Sequence, residues 1–261
     1  MTRSSTSEQR DGITTRRDAL RQGALACAAL IASSSPAQSQ EPKTQESAKS
    51  DSAVKADPSP TRFEKSIAGY ETDDQRTSVQ PGGVLFVGSS SIKLWNLPAA
   101  LPQLPVINRG FGGSHMSDVT HFAARIIIPY RPAAILVYAG DNDLGAGKTP
   151  GRVVADFQQL VANVRAKLPT TPIVFLSIKP SPLRWSKIEQ QRAANNMVQE
   201  MVSQDATLRY VDLAAPLLDD KGEPVAGYFR ADRLHLSFLG YHQWNERLRQ
   251  LDWSALGVKR G

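Results

Sequence analysis

The sequence predicts an α/β fold, a three-layer α/β/α sandwich in which about five parallel strands lie between two layers of helices. From Phe63 onward, short β-branched runs alternate with longer stretches of helical periodicity, which is typical of repeated strand-helix units. The strand candidates are apolar along their whole length instead of alternating. That pattern is expected of strands buried on both faces of a parallel sheet.

The elements can be assigned in order along the chain. Short apolar runs mark five strands: 83–89, 105–110, 133–140, 172–178 and 208–213. Longer periodic stretches mark four helices: 116–128, 151–168, 186–204 and 238–251. The 261 residues suffice for one domain with a large core, and no apolar run reaches the ~18 residues of a membrane span.

The first 39 residues have the order of a bacterial export signal: a basic stretch, a short apolar segment and a run of small residues. Residues 15–21, "TRRDALR", resemble a twin-arginine signal, and an ordinary secretory signal with a chance arginine pair is the alternative. Both predict a periplasmic or extracellular protein, with cleavage near Ser39. Cys27 follows a poor lipoprotein box, so lipid attachment is disfavoured. Residues 40–61 are polar and proline-containing and predict a disordered linker before a domain over 62–261.

Charge and cysteine content exclude several classes of function. The formal net charge of +6 is partly carried by the arginines of the N-terminal segment, and no basic run or basic-aromatic stripe indicates nucleic acid binding. Cys27 is the only cysteine, so the mature domain offers no disulfide, zinc-thiolate site or thiol nucleophile. Oligomeric state is not indicated by any pattern.

Four familiar motifs fail on counting. "NDLGAGKT" has Asn142 where a phosphate-binding loop needs Gly, and "GFGGSH" has His115 where a dinucleotide fingerprint needs Gly. "DNDLGA" has Ala146 at the obligatory glycine of a calcium loop. Ile92 occupies the second glycine position of the Gly-x-Ser-x-Gly elbow.

Candidate functional segments follow the first three strands, at the strand ends where ligands bind in parallel sheets. They are Ser89–Ser91, 108–113 and 140–143. A serine nucleophile needs an imidazole base, a group that orients this base, and donors for the oxyanion. "DRLH" places Asp232 three residues before His235, within reach of its Nδ1 on a tight turn. A helix entry with a surface ion pair is the alternative interpretation.

Four short blocks, in order, resemble the SGNH (GDSL) hydrolase family: "FVGSSSI", "VINRGFGGSHMSD", "YAGDNDL" and "DRLH". The resemblance spans about Phe63 to Trp253. It implies a flavodoxin-like sheet and ester hydrolysis without metal or cofactor. Ser89 replaces the family's usual Asp, so Ser91 remains an alternative nucleophile to Ser90.

The resemblance also implies a role for each matching residue. Ser90 is the nucleophile, His235 the acid–base residue and Asp232 the group that orients it. The oxyanion hole consists of the backbone N–H groups of Ser90 and Gly113 and the side-chain amide of Asn142. A turn role for Asn142 and an ordinary loop role for Gly113 are the alternatives.

Further candidates for substrate contact are Asp141, His115, Lys179 and Arg184, because each lies close to a strand end. A surface imidazole and solvated loop cations are equally compatible with the sequence. Asp143 is expected to be structural, His121 and His242 are expected to be packing or surface residues, and Trp95 is expected in the core.

The leading hypothesis is an exported serine esterase that releases short acyl groups, above all acetyl, from small-molecule or carbohydrate esters. A lipase or lysophospholipase is the first alternative, and the absence of a long apolar lid favours short chains. A catalytically silent carbohydrate-binding module on the same fold is the second. The presence of Ser90, Asp232 and His235 together argues against it.

Overall fold

The computed structural model describes residues 57–259, and the export signal and most of the linker expected from the sequence lie outside this range. A five-stranded parallel sheet has the order β2-β1-β3-β4-β5. Its strands are β1 (Val84–Gly88), β2 (Val106–Gly110), β3 (Ala134–Tyr138), β4 (Ile173–Leu176) and β5 (Leu208–Val211). Every strand lies within the segment expected from the sequence.

Eight α-helices occur in the described range. They are α1 (Glu64–Thr77), α2 (Ser90–Lys93), α3 (Leu97–Ala100), α4 (Met116–Ile126), α5 (Asp141–Gly145), α6 (Pro150–Arg165), α7 (Ile188–Ser203) and α8 (Phe238–Arg249). The four long helices expected from the sequence correspond to α4, α6, α7 and α8. No helix among residues 57–259 combines the length and hydropathy of a membrane span.

The sheet separates two apolar layers, which confirms the three-layer α/β/α fold. On one face Leu85 and Val87 of β1 pack with α1, α4, α6 and α7. On the other, Val84 and Phe86 pack with α2, α3 and α8. Since successive strand side chains point to opposite faces, a strand between two helical layers must be apolar at every position. The sequence of β1, "VLFVG", follows from this burial.

Helix α1 is the one long element that the sequence analysis missed. Its periodic apolar stripe is short, because Ile67 is its only buried residue. Ion pairs also hold it: Asp74 pairs with Arg109, and Glu71 with Arg125. Such pairings depend on the position of other elements and leave no periodicity to read.

Residues 57–61, which the sequence assigned to the linker, make contacts with the domain. Asp57 forms ion pairs with Lys148 at 2.6 Å and with Arg152 at 2.8 Å. Ser59 caps a short 3-10 helix that begins at Pro60. Ordered contacts therefore begin at least five residues before the expected start of the domain at residue 62.

The carboxyl ends of β1, β2 and β3 meet at one edge of the sheet. The N–H of Phe111, just after β2, donates to the carbonyl of Gly88 at 2.8 Å, and the N–H of Ser89 donates to Tyr138 at 3.0 Å. Gly88 has φ +142, and a Cβ at this position would lie 1.9 Å from the carbonyl oxygen of Tyr138. Only glycine lets β1 approach β3 so closely and then turn into α2.

Candidate active site

Ser90, His235 and Asp232 are linked by consecutive hydrogen bonds at this edge of the sheet. Ser90 is the first residue of α2, directly beyond β1, and its Oγ lies 3.0 Å from Nε2 of His235. Nδ1 of the same imidazole lies 2.7 Å from Oδ2 of Asp232. With Nδ1–H donating to the carboxylate, Nε2 presents its lone pair to the serine hydroxyl.

The loop that carries Asp232 and His235 is held by its own backbone. Oδ1 of Asp232 accepts the N–H groups of Leu234 and His235, both at 2.9 Å, while Oδ2 faces the imidazole. Arg233 has φ +59, a left-handed conformation that closes this turn. The hydrogen bond from the His235 side chain, followed by that from Leu234 N–H, holds the pKa of Asp232 well below its usual range. The carboxylate is therefore ionised at any pH at which an imidazole is neutral.

Of the three consecutive serines, Ser90 is the one that contacts an imidazole. Ser89 and Ser91 are buried, with 3% and 4% of their surface exposed, whereas Ser90 is partly open. The carbonyl of Ser91 accepts a hydrogen bond from the Tyr241 hydroxyl at 2.9 Å, which ties α2 to α8. The geometry favours Ser90 over Ser91 as a nucleophile.

The loop after β2 lies beside Ser90. A Cβ added to Gly112 would lie 3.8 Å from the Cβ of Ser90. Gly113 follows with φ +82, and a Cβ there would meet nothing within 4 Å. Glycine is therefore favoured at 113 by its backbone conformation and not by crowding. Within residues 57–259, neither the Ser90 N–H nor the Gly113 N–H donates to another protein group, so both can serve a ligand.

Asn142 lies on the next strand end, at the second position of α5. Its Nδ2 donates to the carbonyl of Ser114 at 3.1 Å, one residue after Gly113. Its Oδ1 accepts from Nη2 of Arg184 at 3.0 Å. The amide thus lies against the same loop as Gly113, and one Nδ2 hydrogen remains free for a further acceptor.

Asp141 and Lys179, which the sequence predicted as possible substrate contacts, are both buried. Their side chains are 6% and 1% exposed and pair with each other at 3.2 Å. Asp141 also pairs with Nη1 of Arg184 at 2.8 Å. Burial opposes ionisation of Asp141, but the charges of Lys179 and Arg184 outweigh it and lower its pKa. Lys179 is thus the internal counter-ion of Asp141.

Arg184 was also expected to contact substrate, and its guanidinium is engaged by the protein instead. Asp141 and Asn142 occupy it, and its side chain is 20% exposed. The short 3-10 helix Pro182–Lys187 carries it toward α5.

His115, expected to line the site, is buried at the N-terminus of α4, with Nδ1 3.7 Å from Oδ1 of Asp57. Its backbone N–H donates to Asp118 at 2.8 Å. His121 is exposed and its ring packs against that of Phe122. His242 is exposed near Glu246. Both positions agree with surface roles.

Beneath Asn142 lies a group of charges that the sequence analysis did not connect. Asp143 is fully buried and accepts the N–H of Met116, the first residue of α4. Lys148 joins Asp143 at 2.8 Å, Asp57 at 2.6 Å and Asp156 at 3.3 Å. Asp143 is structural, as expected. The contribution of Asp57 left no local signal, because its partners are far away in the chain. Within residues 57–259, no three His, Cys, Asp or Glu side chains converge as a metal site would require.

Comparison with known proteins decides the family. The sequence model of the GDSL-like lipase/acylhydrolase family matches residues 91–243, more than half of the chain. The chain belongs to this family. It is accordingly a carboxylic ester hydrolase of the GDSL type. A search of the curated proteins found no match.

Several solved structures share the fold. A Streptococcus pneumonia protein provisionally named a platelet activating factor is 22% identical, covering 72% of this chain and 92% of its own, with a TM-score of 0.65. A GDSL-like lipase of Bacteroides thetaiotaomicron is 16% identical, with coverages of 73% and 95% and a TM-score of 0.54. An acetylxylan esterase of Geobacillus stearothermophilus, solved as a catalytic mutant, is 14% identical, with coverages of 69% and 97% and a TM-score of 0.54.

The GDSL match begins at residue 91, one residue after Ser90, and so does not include it. The assignment of the reacting serine therefore depends on geometry and not on the family match. Ser89, where the family's usual residue is Asp, donates its N–H to Tyr138 and is buried.

Proposed function

We propose that this GDSL hydrolase cleaves short acyl esters through an acyl-enzyme on Ser90, with His235 as acid–base residue and Asp232 as its partner. The observation that carries the proposal is the pair of hydrogen bonds made by the His235 imidazole. Nδ1 lies 2.7 Å from Oδ2 of Asp232, and Nε2 lies 3.0 Å from Oγ of Ser90. A surface ion pair at a helix entry would account for the first contact but gives no reason for the second.

In the first half of the reaction, Oγ of Ser90 attacks the ester carbonyl carbon while its proton moves to Nε2 of His235. The tetrahedral intermediate collapses as the bond to the alcohol oxygen breaks, and Nε2 returns the proton to that oxygen. Water then repeats the sequence on the acyl-enzyme and releases the acid. The ionised Asp232 stabilises the imidazolium that forms in both halves.

The developing oxyanion would accept the N–H groups of Ser90 and Gly113 and the amide of Asn142. These donors have no competing role, since both backbone groups and one Nδ2 hydrogen lack partners within the described residues. Removing one such donor typically costs on the order of a hundred- to a thousandfold in kcat.

For the alcohol we propose a carbohydrate, because of a cleft next to the Asp232–His235 loop. The cleft has a volume of about 340 Å³ and is lined by Pro182, Trp185, Glu223, Pro224, Ala226, Phe229 and Arg233. An indole beside an exposed carboxylate and an exposed guanidinium offers a face for a sugar ring and partners for its hydroxyls. The likeness to an acetylxylan esterase supports an acetylated sugar as the first substrate to test.

A lipase-type activity is the second candidate, because apolar side chains are exposed close to His235. Phe238 is 84% exposed and Leu239 is 55% exposed, three and four residues beyond the imidazole. Such side chains could receive a long acyl chain. The chain-length preference of the enzyme separates the two candidates.

The first experiment measures hydrolysis of p-nitrophenyl acetate, butyrate and octanoate by the wild type and by Ser90→Ala, Ser91→Ala and His235→Ala. We expect losses of at least a thousandfold in Ser90→Ala and His235→Ala. Ser91→Ala is the matched control and should retain activity within about tenfold, because its hydroxyl is buried away from the imidazole. Loss in Ser91→Ala with retention in Ser90→Ala would reassign the nucleophile. A preference for octanoate would favour the lipase candidate.

The second experiment tests the alcohol. Trp185→Ala should lower kcat/KM for an acetylated xylooligosaccharide about tenfold or more and leave p-nitrophenyl acetate hydrolysis unchanged. Equal effects on both substrates, or none, would argue against a sugar in this cleft.

We further propose that the protein is exported. The twin-arginine-like sequence supports this, and it lies outside the described residues. Replacing both Arg16 and Arg17 by Lys should retain the protein in the cytoplasmic fraction of the cell. Unchanged fractionation would favour a secretory signal of the ordinary type, and a wild type found in the cytoplasm would contradict export.

A further inference from the structure

The guanidinium of Arg184 grips two consecutive residues of α5. Nη2 donates to Oδ1 of Asn142 at 3.0 Å, and Nη1 lies 2.8 Å from Oδ1 of Asp141. One hydrogen bond and one ion pair therefore come from the same planar guanidinium, and together they hold both partners in place.

This contact determines which end of the Asn142 amide faces the site. Arg184 can only donate, so the carbonyl oxygen of the amide must face it. The Ser114 carbonyl on the other side can only accept, so it must receive Nδ2. Both neighbours select the same orientation, and a flipped amide would place donor against donor and acceptor against acceptor.

The surroundings are built to hold Arg184 in place. A Cβ at Gly145 would lie 2.8 Å from Nε and 2.9 Å from Cζ of Arg184, so glycine at 145 leaves room for the guanidinium. Asp141 is in turn held at its other oxygen by the buried Lys179 at 3.2 Å. The three charged groups form a compact unit behind Asn142.

The same segment also reaches the acid–base loop. Leu183, next to Arg184, donates its N–H to the carbonyl of Arg233 at 2.9 Å, and Arg233 directly follows Asp232. Ser181 caps this short helix with a hydrogen bond to the N–H of Arg184. The helix 182–187 therefore connects the amide of Asn142 with the turn that carries His235.

We propose that Arg184 is a positioning residue of the ester hydrolase, which acts through Asn142 by fixing the amide as an oxyanion donor. The inference rests on the proposed function, in which Asn142 stabilises the oxyanion. Arg184 itself contacts no substrate in this scheme. Its loss should lower kcat and leave KM nearly unchanged, because the donor is needed more in the transition state than in the bound substrate.

The experiment is a double-mutant cycle with p-nitrophenyl acetate on the full chain. We expect Asn142→Ala to lower kcat on the order of a hundredfold and Arg184→Ala to lower it about tenfold or more, with KM within about twofold of wild type. In the Asn142→Ala background, Arg184→Ala should cost less than about twofold further, because the group through which it acts is gone. Arg184→Lys should fall between Arg184→Ala and wild type, since an ammonium keeps the charge but cannot hold both partners.

Chemical rescue distinguishes the loss of the guanidinium from a general loss of structure. Added guanidinium at millimolar concentrations should restore part of kcat in Arg184→Ala and none in Asn142→Ala. Thermal denaturation of each variant identifies any that fails to fold. If Arg184→Ala is unfolded, kcat of the conservative variant Arg184→Lys is compared with wild type in its place.

Three results would overturn the proposal: a full effect of Arg184→Ala in the Asn142→Ala background, an effect on KM alone, or wild-type kcat in Arg184→Ala. If Asn142→Ala itself keeps the wild-type kcat, the oxyanion assignment in the proposed function fails. In that case a residual defect in Arg184→Ala would show that Arg184 acts by another route.

Discussion

The buried pair of Asp141 and Lys179 predicts an asymmetric effect of two neutralising substitutions. In Asp141→Asn, Lys179 loses the one carboxylate that it contacts within the described residues. In Lys179→Met, Asp141 keeps its contact with Arg184 at 2.8 Å. The two changes remove the same ion pair but leave different groups behind.

The expected magnitudes follow from burial. Removing one partner of a buried pair costs about 3–5 kcal/mol of unfolding free energy, because the remaining charge has no counter-ion. Asp141→Asn belongs in this range, since the Lys179 side chain is 1% exposed. Lys179→Met should cost about 1–2 kcal/mol, because a guanidinium still neutralises Asp141. The double variant should be more stable than Asp141→Asn, because the buried ammonium that has lost its counter-ion is then also removed.

Urea denaturation of the full chain, monitored by circular dichroism, measures these differences in unfolding free energy. Thermal denaturation measures the corresponding change in Tm. At about 2–4 °C per kcal/mol for a domain of this size, Asp141→Asn should lower Tm by roughly 6–20 °C.

Equal costs for the two single variants, or a larger cost for Lys179→Met, would contradict this account of the pair.

Three further predictions concern the turn after β1, the orienting carboxylate and the exposed surface. Gly88→Ala should prevent folding or lower Tm by more than 10 °C, because its Cβ would lie 1.9 Å from the carbonyl oxygen of Tyr138; soluble protein with wild-type Tm would contradict the required approach of the strands. Asp232→Asn should lower kcat about a thousand- to ten-thousandfold without moving Tm by more than a few degrees. Because the pKa of Asp232 is held low by the His235 side chain, the acid limb of the wild-type profile of kcat/KM should show one ionisation and not two. Phe238→Ser should change the unfolding free energy by less than about 0.5 kcal/mol, since the ring is 84% exposed, and a larger loss measured by urea would mean that Phe238 is covered in solution.

The sequence was sufficient for the sheet and for the residues that follow its strands. Strands buried on both faces are apolar at every position, and the edge at which Ser90 and Asn142 lie follows from parallel strand direction alone. Asp232 and His235 could be paired because three residues on a tight turn set their separation. In each of these cases, a local rule determines the geometry.

The residues whose surroundings could not be predicted depend on partners far along the chain. Lys179 follows β4 just as Ser90 follows β1, so position in the sequence alone cannot distinguish them. Lys179 is buried beneath the site and pairs with Asp141, 38 residues away in the chain. His115 is two residues from Gly113 and is buried, because it caps the N-terminus of α4. Helix α1 is fixed by ion pairs such as that of Asp74 with Arg109, which carry no periodic signal. Local patterns specify which edge of the sheet bears the site, but they do not specify which side chains at that edge face solvent.

The serine and the imidazole that meet at 3.0 Å are 145 residues apart in the chain. A chain growing on the ribosome therefore contains the complete first four strands long before it contains His235, and the contact forms only once the segment ahead of α8 has been made and docked. Nascent or truncated chains that end before residue 235 would bury much of the same core and yet have no base for the serine. Ester hydrolysis, measured on such a series of lengths, would thus report completion of the fold itself.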